Sequence, residues 1–182
     1  SYYVQEYHFN LTQAAFLAAC FSLPGGILRA LGGWLSDKYG AYKVTWAVMW
    51  VCWVAFFILS YPQTQMQIQT VDGVMQFNIG LNVVMFTAVL FVVGIAMAIG
   101  KASVFKFIAD DFPEDMGTVS GIVGLAGGLG GFMLPILFGL LVDFTGIRSS
   151  SFMLLYGCVC ISLIWMHFSF KPLQKKELLK QN

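Results

Sequence analysis

The chain has 182 residues, 58% of them hydrophobic and only 10% charged, with a formal net charge of +1. An average soluble domain carries about 25% charged residues, so this composition, with a mean hydropathy of +0.76, excludes an ordinary soluble protein and points to an integral membrane protein. No basic stripe outside the C-terminal tail offers a nucleic-acid surface, and no nucleophile–base pair, metal-ligand spacing or cofactor motif points to an enzyme.

The first ten residues are polar and aromatic, with no charged n-region and no cleavage site of a signal peptide. The first predicted span, residues 11–35, carries Arg29 inside an otherwise apolar run. An arginine there costs roughly 2.5–3.5 kcal/mol on insertion scales, so such a residue faces a protein interior or a wet cavity and acts there. On a helix, Ser22, Gly25, Gly26, Gly32 and Gly33 fall on or beside its face. A guanidinium with small residues before it reads as a seat for a planar anion. The competing readings are a structural ion pair and a snorkelling side chain.

The span runs into Gly33-Trp-Leu-Ser-Asp37-Lys38-Tyr-Gly40. Here Gly33 is expected to allow close helix packing and Gly40 to make the turn, while Asp37 can accept from a helix N-terminus. A second span, residues 42–61, is rich in Trp and Phe; a polar loop, residues 62–80, then holds five glutamines and one charge. The third span, residues 81–107, holds Lys101, which reads either as a plain structural lysine or as a cation that attracts anions or changes protonation, and ends at Lys106, read as a snorkelling anchor before an acidic turn over 110–115.

The fourth span, residues 118–141, has six glycines within residues 121–131, and Pro135 follows them. Gly121, Gly124, Gly128 and Gly131 form one helical stripe, and Gly127 with Gly131 adds a GxxxG spacing. Such stripes serve close helix packing, but a bare stripe also lets backbone line a narrow path or approach a small ligand. The fifth span covers residues 152–170, and a lysine-rich tail fills residues 171–182. Cys20, Cys52, Cys158 and Cys160 read as small hydrophobic core residues, and His8 and His167 as interfacial.

Lys38, Lys43, Lys106, Lys171, Lys175, Lys176 and Lys180 lie on one side of this topology and only Arg148 on the other. The asymmetry places the loop at Asp37 and the C-terminus in the cytoplasm, and the glutamine-rich loop outside. Five spans with an external N-terminus fit a six-helix unit without its first helix.

The loop signature resembles that of the major facilitator superfamily, with Ala41 and Tyr42 where that family usually has basic residues. Three blocks, Pro24 to Asp37, Gly100-Lys-Ala-Ser-Val-Phe-Lys106 and the glycine stripe ending at Pro135, resemble the C-terminal half of its nitrate/nitrite porters. The resemblance implies an all-α membrane protein in which residues 1–170 form five helices of a six-helix half-bundle, helices eight to twelve of a twelve-helix transporter. It implies a multi-pass protein of the plasma (inner) membrane, its C-terminus cytoplasmic, that transports nitrate, and also nitrite, by alternating access, as nitrate/nitrite antiport or nitrate/proton symport. It needs no cofactor, metal or nucleic acid; its partners are the anions, the bilayer, and the N-terminal half with the first helix of this one. Arg29 then holds the anion for its half, with Ser22, Gly25, Gly124, Gly127, Gly128 and Gly131 around it. Lys101 lies on the anion path, and Gly33, Asp37, Lys38 and Gly40 form a gating loop. A facilitator of another small anion and a non-transporting membrane module are the alternatives.

Overall fold

The computed structural model describes residues 4, 7–22, 25–70 and 73–180. In chain order these form α1 (Leu11–Ser22), α2 (Gly25–Tyr39), α3 (Ala41–Leu59), β1 (Thr64–Thr70), β2 (Gly73–Ile79), α4 (Val83–Asp111), α5 (Met116–Thr145) and α6 (Ser150–Lys180). Leu23 and Pro24, part of the quoted Arg29 run, lie outside the described residues. Five helical stretches are long and apolar enough to cross a membrane: Leu11–Tyr39, Ala41–Leu59, Val83–Asp111, Met116–Thr145 and Ser150–Phe170.

The ends of these helices follow local chemistry. At the start of α1, Asn10 Oδ1 accepts from the Gln13 backbone N–H at 2.9 Å, and Gln13 Oε1 accepts from the Asn10 N–H at 3.4 Å, a reciprocal cap that satisfies two orphan donors. Gly40 separates α2 from α3 with φ +89°, a conformation that costs a side-chain-bearing residue energy. Its N–H donates to Ser36 O at 2.9 Å, so Gly40 makes the expected turn. Gly146 ends α5 in the left-handed region and donates to Val142 O at 2.8 Å.

α4 is the hub, with α2 and α3 packed along it; α6 packs on α3 and α5. Cys52, Ala55, Phe56 and Leu59 of α3 meet Phe86, Val93 and Ala96 of α4 in a core that also takes in Ala14. Thr45 and Ser103 share a hydrogen bond of 2.8 Å between α3 and α4, which satisfies a fully buried hydroxyl. Along the other face of α3, Tyr42, Trp46, Trp50 and Trp53 form an aromatic row at helical spacing. Phe170 stacks on Tyr42, His167 on Trp46 and Tyr156 on Trp53. The cysteines divide: Cys52 is buried in the core and Cys158 is exposed.

The structure differs from the sequence expectation in two places. Residues 62–80 are no plain loop: β1 and β2 pair antiparallel with Met66 opposite Phe77 and Ile68 opposite Met75. Alternating Gln and apolar residues from Thr64 to Thr70, followed by Asp72-Gly73, carry the strand and hairpin signals. The expected acidic turn begins later, because α4 extends through Asp111. The lysine-rich tail continues α6 as helix to Lys180, one of the two forms, helical or frayed, expected of it.

Candidate functional site

Arg29 lies on the exposed face of α2. Among the described residues it has no hydrogen-bond or ion-pair partner. A guanidinium on a spanning helix needs acceptors, because its charge is costly away from water unless paired. Beside it, Gly25, Gly26 and Gly33 have open space where a Cβ would stand. Ser22 is the last residue of α1; its side chain lies outside the described residues.

Gly32, one position from Gly33, behaves differently. A Cβ on Gly32 would stand 2.9 Å from Ala102 Cβ and from Ile99 Cα and O. The close helix approach expected of Gly33 is therefore made by Gly32, against α4. Gly100 makes a second close approach: a Cβ there would stand 3.0 Å from Val48 Cγ1 of α3. Arg29 thus projects from a helix whose adjacent face is locked onto the hub.

The loop residues form a charged clasp that sequence reasoning missed. Lys106 Nζ lies 3.0 Å from an Asp37 oxygen and 3.1 Å from an Asp110 oxygen. Asp37 accordingly takes a lysine from α4 as its partner, whereas the Gly40 cap of α3 has no side-chain hydrogen bond. Lys106 is a bridge between α2 and α4 instead of a free snorkelling anchor. The Lys106–Asp110 half was legible as an i,i+4 pair; the Asp37 half needed the fold. Lys38 lies over the Trp34 and Tyr39 rings, at 5.2 and 5.3 Å from their centroids. Lys101 is exposed on α4, and its preceding turn, at Ala98, is buried.

The glycine stripe stands open. α5 has no buried residue, and nothing lies within 4 Å of a Cβ built on Gly121, Gly124, Gly127, Gly128, Gly130 or Gly131. Close packing inside this unit is therefore not what the stripe serves. Pro135 sits within the helix without ending it. The structure leaves both Arg29 and the stripe exposed.

Among the described residues, five helical stretches long and apolar enough to cross a membrane, packed against one another, define a multi-pass membrane protein. The chain belongs to the Major Facilitator Superfamily, whose family model matches residues 1–182. It is 39% identical over 179 residues to the probable nitrate/nitrite antiporter NarK1 of Thermus thermophilus, a match covering 97% of this chain and 40% of that protein. It is 27% identical over 177 residues to the probable nitrate transporter NarT of Staphylococcus aureus strain N315, again covering 97% of this chain and 40% of the relative. The chain thus spans about 40% of the length of these curated relatives. No solved structure matches it significantly.

Proposed function

We propose that this chain is one half of a secondary transporter that exchanges nitrate for nitrite by alternating access, with Arg29 as this half's contact to the anion. One observation carries the reading: Arg29 is exposed on a spanning helix with bare glycine backbone beside it and no acceptor among the described residues. A planar, singly charged oxyanion fits the planar guanidinium fork, which makes two parallel charge-assisted hydrogen bonds where a lysine presents a point charge. The names of the relatives in Thermus and Staphylococcus support that substrate class.

In this reading the second wall of the site comes from the rest of the full-length protein, and the two halves rock about a site near the bilayer midplane. The stripe of α5 supplies bare backbone along the path, and Lys101 draws anions toward the mouth it borders. The loop from Gly33 through Asp37 and Lys38 to Gly40 lies at the cytoplasmic gate, with Lys106 holding it to α4. Exchange is preferred to proton symport because the Thermus relative is named a nitrate/nitrite antiporter; within this chain's described residues Asp37, Asp110, Asp111 and Asp143 all lie in the terminal turns of their helices. The test is counterflow into liposomes holding the full-length protein. Internal nitrite should accelerate entry of labelled nitrate, and a protonophore should leave the initial rate unchanged. Uptake that requires a proton gradient and ignores internal nitrite would contradict exchange.

A further inference from the structure

A groove of about 620 Å³ runs between α2, α3 and α4, away from both Arg29 and the glycine stripe. Its walls are aliphatic, with Leu35, Val44, Ala47, Val48, Val92 and Ile95 among them, and its polar members are Tyr39 and Lys43 at one end. That end adjoins the Gly40 turn, where the chain leaves the spanning region. Lys43 is exposed and forms no ion pair among the described residues. Lys38 is held beside the same mouth by its contacts with Trp34 and Tyr39. Lys106 bridges Asp37 and Asp110, and neither carboxylate is ion-paired with Lys43, whose charge is left for a ligand at the groove mouth.

We propose that this groove seats one anionic phospholipid, its phosphate at Lys43 with Lys38 beside it and an acyl chain along the aliphatic walls. The argument is charge complementarity at the depth where it counts. Lysines at the membrane surface attract anionic headgroups, and aromatic side chains such as Trp34 and Tyr39 favour the headgroup level. The wall residues below them are apolar and open within this chain, with Val92 47% and Ile95 40% exposed. An acyl chain fills such a surface without leaving a polar group unpaired. The two features are continuous, so a single amphiphile satisfies both. The site is independent of what the protein transports.

The full-length protein should be purified in mild detergent with an equimolar mixture of phosphatidylglycerol and phosphatidylcholine, and its retained lipid counted by native mass spectrometry. Wild type should keep one phosphatidylglycerol in preference to phosphatidylcholine. Lys43→Gln should weaken that preference about fivefold, as expected for loss of one lysine near an anionic headgroup, and Lys43→Arg should restore it. Ala47→Phe, which fills the groove and leaves the charge in place, should lower retention of both lipids. Equal retention of the two lipids by wild type, or a preference that Lys43→Gln leaves intact, would overturn the proposal.

Discussion

At Gly32 the backbone of α2 comes so close to α4 that a Cβ would stand 2.9 Å from the backbone of Ile99. Backbone cannot step aside as a flexible side chain can, so a methyl group there forces the helices apart. Gly32→Ala should lower stability by roughly 1–3 kcal/mol, the usual cost of overpacking, whereas Gly33→Ala, with open space before it, should change it little. Thermal unfolding of the purified full-length protein in detergent checks both; equal effects would contradict the packing. Sequence alone could not separate the two positions, because one residue of helix register is about 100° of rotation and both glycines flank the Arg29 face. The same limit hid the clasp at Lys106, whose partner Asp37 lies on another helix. Removing Lys106 leaves Asp37 and Asp110 facing one another with no cation between them. Lys106→Gln should therefore destabilise more than Asp110→Asn, and adding Asp37→Asn to Lys106→Gln should recover part of the loss. The melting temperatures of the three variants test this ordering.

Among the elements, α5 is the most exposed helix of the five spans, with no buried residue along thirty. Its six stripe glycines meet nothing within this unit, so substitution there leaves the α2–α3–α4 packing intact. Gly128→Leu or Gly131→Leu should abolish nitrate uptake by the full-length protein while membrane levels stay near normal on immunoblot. Normal kinetics in both would make the stripe an ordinary lipid-facing surface. The spanning helices were legible because a bilayer-length apolar run is a strong, one-dimensional signal. The hairpin was not read, because the five glutamines of residues 62–80 outweighed an alternation in which Met66, Ile68, Met75 and Phe77 share one face. The row from Tyr42 to Trp53 showed helical spacing in the sequence, but its stacking on Tyr156, His167 and Phe170 depends on how α6 crosses α3.

For the whole molecule, the cation asymmetry expects the hairpin outside and the α6 terminus in the cytoplasm. Single cysteines at Gln67 and Gln174, in a background without the native four, should react with an impermeant thiol reagent in intact cells at position 67 and not at 174; the reverse pattern would invert the topology. The resemblance to nitrate porters was legible in three sequence blocks, yet the closed site was not, because this chain spans about 40% of its relatives' length and in the proposed site supplies one wall. The account rests most heavily on Arg29, and the direct measurement is initial nitrate uptake against concentration for the full-length protein and Arg29→Lys at matched expression. Lysine keeps the charge but cannot form two parallel hydrogen bonds to one planar anion. A lost charge-assisted bond is worth roughly 1.5–3 kcal/mol, so apparent affinity should fall about ten- to over a hundredfold. Unchanged affinity and rate in Arg29→Lys would contradict the assignment and make Arg29 an anchor.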